Sequence, residues 1–275
     1  MLRAAIDGPG MQTGFAYTRF AARLANISQL SDADLELLAR MPFRIDHFAS
    51  HETILRKGDQ PDHCCLLLQG YLCWREAGCE GGQITSLYVV GDMPDLYTVD
   101  SPQVAASLST LGPVVVASVP HLFLRETASL SSGLSRAFSR LAIADAALLR
   151  NWIINLGSRD SLTRVAHLVC ETAWRLRAVG HARDDQFPSP FTQSDLAAAC
   201  GISAVHANRI IQELRRRRLL NWRSRMVTVT DWEGLIQLAR FDPDYLRLPG
   251  LNGAAHVLSS PHATAERTAH VRMPP

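Results

Sequence analysis

Apolar and polar positions change rhythm along the chain. Between Phe43 and Val119 they alternate in short runs: Phe43 to Phe48, Thr53 to Arg56, Cys64 to Gln69, Tyr71 to Glu76, Gln83 to Val90, Ala105 to Thr110 and Val114 to Val119. Glycine turns separate them, at Gly58-Asp59, Gly70, Gly78, Gly81-Gly82, Gly91-Asp92 and Gly112-Pro113. This pattern predicts many short strands closed into a compact barrel or roll. From Ser131 to Ser158 the spacing switches to alternating fours and threes, through Leu134, Phe138, Leu141, Asp145, Leu148, Trp152 and Asn155. That predicts one long helix with a heptad seam. The seam Leu134, Phe138, Leu141, Leu148 and Trp152 suits pairing with a second copy, with Asp145 and Asn155 fixing the register; packing on the helix's own domain is the alternative.

Shorter helices flank these regions. Ser31 to Asp34 resembles a capping box opening a helix through Leu38. Asp160 is placed to cap a helix running from Leu162 to Leu176, and Gly180 to Pro190 reads as a polar linker. Thr192 then caps a short helix that Gly201 ends, and Ser203 caps a second, whose Val205, Ala207, Ile210, Ile211 and Leu214 form an apolar stripe. Leu219 to Val229 reads as two strands around an Arg-bearing turn. Two helices about a glycine turn, followed by such a hairpin, make a winged helix-turn-helix. A helix from Asp231 through Leu238 closes it, and Leu251 to Pro275 reads as a mobile tail.

Charge sharpens this picture. The 275-residue chain carries a formal net charge of only +2. Yet Thr192 to Arg225 holds seven Arg against Asp195 and Glu213, a local concentration that phosphate attraction needs. No apolar run reaches membrane-spanning length, and the first residues lack the apolar core of a secretory signal, so a cytoplasmic location and no membrane partner are expected. Met1 to Gly14, with Gly8-Pro9-Gly10, reads as loose. The six Cys form no C-x-x-C pair, and Cys170 and Cys200 read as small core residues. No metal or cofactor is expected. His47, His51, His63 and His121 have no convincing ligand spacing, and the His47/His51 pair lacks the acidic third ligand a cupin-like metal enzyme would need. No catalytic constellation emerges.

The order of these parts resembles the Crp/Fnr family of bacterial transcription regulators from about Leu30 to Leu248. The most specific matches are Asn155 to Asp160 followed by Arg164-Val-Ala, and Thr192-Gln-Ser-Asp-Leu through Gly201-Ile-Ser to Asn208-Arg209-Ile. The resemblance implies an α+β chain. Residues 1–26 are a partly disordered N-terminal segment. Residues 27–130 are a β-roll sensor, a double-stranded β-helix of cyclic-nucleotide-binding-like type. Residues 131–158 are the dimerisation helix, 159–250 the winged helix-turn-helix and 251–275 the tail. It implies a homodimer on palindromic double-stranded DNA, working with RNA polymerase.

By motif position, Val205, Asn208 and Arg209 correspond to base-contacting residues; Gln193, Ser203, His206, Arg223 and Arg225 are expected on phosphates. Arg209 is suited to a bidentate pair with guanine, and Val205 stands where many relatives carry Glu. The effector pocket is expected near Asp92, Asp95 and Leu96. The cyclic-nucleotide branch uses a Gly-Glu-Leu segment and an Arg-Ser pair. Here Pro94 follows Met93, and Tyr97 to Leu111 contains neither Arg nor Lys. Proline donates no N–H and a buried phosphate needs a cation, so cAMP is not the expected signal. No Cys precedes Cys64, so the family's N-terminal iron–sulfur cluster is absent. Cys73 and Cys79 are the candidates for a redox switch. A regulator whose β-roll senses nothing is the alternative.

Overall fold

The computed structural model describes residues 9–76, 82–182 and 185–246. Cys79 and the tail from Leu251 lie outside them. Strands β1 (Arg44–Phe48), β2 (Thr53–Leu55), β3 (His63–Gln69), β4 (Leu72–Glu76), β5 (Gln83–Tyr88), β6 (Ser107–Thr110) and β7 (Val114–Pro120) make two antiparallel sheets, ordered β1-β7-β3 and β2-β6-β4-β5. This is the β-roll. Strand β3 is buried on both faces, and its side chains divide between two cores. Cys65 and Leu67 join Leu72, Trp74, Tyr88, Leu108 and Val116 in the roll, while Cys64, Leu66 and Leu68 pack with residues of the helical layer. A strand covered on both sides reads as a continuous apolar run, as Cys64 to Leu68 does.

The helical layer starts earlier than expected. Instead of a loose segment, α1 (Pro9–Ala25) is a 17-residue helix. Proline is tolerated in a first helical turn, so Gly8-Pro9-Gly10 does not preclude a helix there. Ala16, Phe20 and Leu24, four apart, are buried on one face, and Phe20 stacks on Phe138. Helix α2 (Asp32–Ala39) begins with a complete Ser31/Asp34 capping box. Asp34 also accepts a hydrogen bond from Ser131, the N-cap of a later helix. Residues His121–Leu130, given no element from sequence, form α3.

Helix α4 (Ser132–Ser158) has 27 residues and fills the expected stretch with Ser131 as its N-cap, but the face it turns inward is not the one left for a partner. Leu134, Leu141, Leu148 and Trp152 are buried within the chain, and Phe138 packs on the same core. Asp145 accepts from Tyr88, and Asn155 donates to the carbonyl of Arg164. The expected dimer seam is therefore the intramolecular face. The helix is apolar on a second side as well: Ile143, Leu149, Ile153 and Ile154 are 50%, 37%, 70% and 51% exposed.

Helix α5 (Ser161–Ala178), capped by Asp160, forms the floor of the C-terminal region. On it sit α6 (Gln193–Cys200), α7 (Ala204–Arg216) and α8 (Trp232–Ala239). The expected linker contains β8 (Gln186–Pro188), which adds to the wing strands β9 (Leu220–Arg223) and β10 (Met226–Val229) in the order β8-β10-β9. Three residues, the last of them a proline, carry too little periodicity to announce a strand.

Candidate nucleic-acid interface

Local chemistry fixes each end of the two-helix motif. Thr192 Oγ1 accepts from the Asp195 amide while Asp195 accepts from the Thr192 amide, satisfying two donors at the start of α6. Gly201 ends α6 with φ of 59°, the left-handed conformation glycine adopts without Cβ strain. Ser203 accepts from the His206 amide and starts α7. Ala207, Ile210, Ile211 and Leu214 are buried beneath α7. That leaves Val205, at 65% exposure, and Arg209 outward, with Asn208 half-buried beside them. The three proposed base-reading residues thus share one presented face.

The expected phosphate contacts divide. Gln193 is exposed on the first turn of α6, Ser203 on the start of α7, and Arg223 on the wing. His206 is half-buried, with Nε2 2.8 Å from Ser161 Oγ at the start of α5, so this ring braces two helices. Arg225 sits at the wing tip, where Ser224 and Arg225 have φ of 49° and 64°, the conformation of a two-residue hairpin turn. Its Nη2 donates to the carbonyls of Pro190 at 2.9 Å and Leu111 at 3.2 Å. Arg225 is exposed overall, yet its guanidinium is engaged by the β-roll through Leu111. In the run Arg215 to Arg218, Arg216 and Arg217 both hold Glu213, whose carboxyl their hydrogen bonds bring down to about 2.

The residues proposed for an effector pocket are occupied by the protein itself. Asp92 is buried and accepts from Arg23 Nε at 2.7 Å, Arg175 Nη2 at 2.8 Å and the Val89 amide at 2.9 Å. Burial alone would raise its carboxyl, but Arg23 and Arg175 more than offset that and hold it below the usual range. Asp95 is fully buried and accepts from the Cys65 amide; burial pushes it up to about 6. Leu96 packs on the helical-side core. Cys73 is buried, and its thiol is pushed up to about 12 by that burial, the reverse of what a redox-reactive cysteine needs. His121 is buried with Nε2 3.0 Å from Thr98 Oγ1. Among the described residues no group of three His, Cys, Asp or Glu could hold a metal ion.

Two polar networks of this architecture left no readable sequence signal, and a third underlies a segment the sequence did single out. Arg175 bonds the Leu87 carbonyl as well as Asp92, joining α5 to the β-roll, and lies 3.8 Å from Glu171. Glu171 accepts from Trp152 and Tyr245. Arg75 and Gln83 of the β-roll reach α6, at Asp195 Oδ1 (3.1 Å) and the Ala198 carbonyl (2.5 Å). Arg164 donates to the carbonyls of Asn155, Leu156 and Arg159 at the end of α4 and of Cys200 at the end of α6. A guanidinium suits two helix C-termini at once, and this clamp gives a physical reason for the Arg164-Val-Ala segment.

Residues 163–238 match the family described as the Crp-like helix-turn-helix domain. No curated protein sequence matches the chain. Among solved structures, FixK2 from Bradyrhizobium japonicum is 16% identical, with a TM-score of 0.65 over 72% of this chain and 98% of that one. CLP from Xanthomonas campestris, described as a c-di-GMP-responsive global regulator, is 15% identical, with a TM-score of 0.55 over 72% and 99%. TTHA1359 from Thermus thermophilus, a CRP/FNR family transcriptional regulator, is 18% identical, with a TM-score of 0.52 over 72% and 99%. At these identities the likeness is one of fold, and no described helix is long and apolar enough to cross a membrane. Residues 163–238 thus match the Crp-like helix-turn-helix family, and the chain as a whole shares its fold with solved structures that include a CRP/FNR family transcriptional regulator.

Proposed function

We propose that the chain is a sequence-specific regulator that binds a palindromic promoter site as a homodimer in the cytoplasm, works with RNA polymerase, and answers to a signal other than cAMP. One observation carries it: α7 is pinned from below by Ala207, Ile210, Ile211 and Leu214 and presents Val205 and Arg209 outward, with Asn208 half-buried on the same face. A helix so held can lie in a major groove, where Arg209 reads guanine O6 and N7 and Asn208 reads adenine. Val205 offers a methyl contact to thymine and no acceptor for cytosine N4, so the half-site departs from one read by Glu at that position. Binding-site selection with the full chain tests this. A site with no recurrent half-site, or one with the Glu-read cytosine kept, overturns it.

The homodimer rests on the second apolar side of α4, Ile143, Leu149, Ile153 and Ile154. These exposed apolar residues, six, four and one apart, fall on one broad side of the helix, and such a face suits helix pairing. Ile153→Asp is expected to turn dimers into monomers in sedimentation, while Leu148→Ala lowers thermal stability without doing so.

The space between the sheets is filled by Trp74, Tyr88, Leu67 and Val116, and Asp92 and Asp95 are satisfied by protein groups. That favours, as a second reading, a constitutive regulator whose β-roll senses nothing. Mass spectrometry of the purified protein, with DNA titrations in the presence of cAMP and of cell metabolites, separates the two. Tighter binding with cAMP overturns the exclusion of that nucleotide.

A further inference from the structure

We propose that Arg225 is a latch that holds the wing against the β-roll and exchanges its carbonyl partners for a DNA phosphate. This rests on the DNA-binding reading above and adds a regulated step to it. The two carbonyls come from different parts of the chain. Leu111 follows β6 in the β-roll, whereas Pro190 lies between β8 and α6. Arg225 Nη2 reaches both, at 3.2 Å and 2.9 Å. A guanidinium Nη carries two hydrogens and both are used on these carbonyls, so a phosphate accepts from this nitrogen only by displacing at least one of them.

The surroundings keep the latch aimed. The Ser189 amide donates to the Arg225 carbonyl at 2.7 Å, and Tyr71 of the β-roll reaches the Pro188 carbonyl at 3.3 Å. The left-handed Ser224-Arg225 turn fixes where the side chain leaves the hairpin. On the neighbouring helix, Arg75–Asp195 and Gln83–Ala198 tie α6 to the same sheet. The reading head is thus seated on the β-roll through wing and helix together. Neutral carbonyls are the weaker acceptors: the guanidinium makes both kinds of bond charge-assisted, but a phosphate adds its own negative charge and can take two parallel N–H groups at once. A duplex presented to the wing therefore draws Arg225 off the roll, and any event that strengthens the roll contact opposes DNA.

Gly112 provides the test. A Cβ added there meets, within 4 Å, only Arg225 Nη2, at 3.9 Å. Gly112→Asp places a carboxylate beside the latch, on the β-roll and off the reading face of α7. The full chain is assayed in four forms: parent, Gly112→Asp, Arg225→Ala and the double variant. Hydrogen exchange at the Ser189 amide is read in the free protein, and affinity is read on the selected duplex and on random duplex. Exchange is expected to slow in Gly112→Asp and quicken in Arg225→Ala. Gly112→Asp should weaken binding to both duplexes by roughly threefold to fivefold, the size of one part-exposed ion pair. In the Arg225→Ala background the same substitution should change affinity by less than about twofold, because its partner is gone.

Exchange indifferent to both substitutions overturns the latch whatever the DNA result. Exchange that responds while no duplex binds any form leaves the contact with the β-roll and overturns the phosphate half, together with the DNA-binding reading. Equal loss from Gly112→Asp in both backgrounds makes the effect one of added negative charge alone, and also overturns the latch.

Discussion

The polar residues of the β-roll and those of the winged domain stand in opposite conditions. Asp92 and Asp95 are turned inward, and their oxygens are held by Arg23, Arg175 and backbone amides. Asn208 and Arg209 stand on a helix whose underside is fully packed, with the arginine outward. Buried, partnered groups make their contribution to the folded state; a presented group makes its contribution only when something docks. Substitutions in the β-roll cluster should therefore move stability and leave base preference alone, and substitutions on α7 should do the reverse.

The strongest challenge to that division is Asp92→Ala. It leaves the buried Arg175 and the part-buried Arg23 without their shared anion, and breaking a buried ion pair from one side costs about 3–5 kcal/mol. Urea melts should show that loss. If the variant does not fold, Asp92→Asn, which keeps an acceptor, should fold with a smaller loss. A melt unchanged in both would erase the contrast, because it would make Asp92 as dispensable to the fold as a surface residue.

Asp95 tests the same idea through pH. The two carboxyls are displaced in opposite directions, Asp92 below its ordinary value and Asp95 up to about 6. Asp92 contributes stability above pH 4, lost as pH falls through its lowered folded value. For Asp95 the sign reverses: between about pH 4 and 6 the folded chain keeps a proton that the unfolded chain has released. Stability therefore falls as pH rises through that window, by up to about 3 kcal/mol at 1.36 kcal/mol per unit. Asparagine cannot ionise, so Asp95→Asn should remove this slope. Superimposable pH–stability profiles for parent and variant would refute it.

What could be read from the sequence follows the same line. Caps are local: Thr192 with Asp195, Ser203 and Asp160 act within three residues, and their roles were legible. The strands were legible because glycine turns bracket short alternating runs. The arginine partners of Asp92 lie 69 and 83 residues away, and no local pattern announces them. Helix α4 shows a different limit. It is apolar on two sides, and periodicity alone does not say which side meets the chain's own core. The row through Leu134, Leu141 and Leu148 was the more regular and turned out to be the inner one. Likewise Arg225 has the right residue type and position for a phosphate, but the contact that diverts it comes from Leu111, 114 residues earlier.

On the reading face, Arg209→Ala is expected to cost about 1–3 kcal/mol of affinity for the selected site and to relax one base position, with the urea midpoint unchanged. Equal losses on selected and random duplex would make Arg209 a phosphate contact and move the specificity elsewhere on α7.

Arg223 gives the smallest and most discriminating effect. It is exposed on β9, next to the wing turn, and differs from Arg225 in pointing to no β-roll carbonyl among the described contacts. As a phosphate contact it releases one counterion, so Arg223→Ala should lower the salt slope of DNA binding by about one, on selected and random duplex alike. Base preference and thermal stability should stay put. Arg225→Ala, which loses a partner on the β-roll as well as on DNA, should change stability and affinity together. Two arginines two residues apart on one hairpin would then separate into a group that waits for DNA and a group already engaged, and titrations of both variants at several salt concentrations, beside their melts, measure that separation directly.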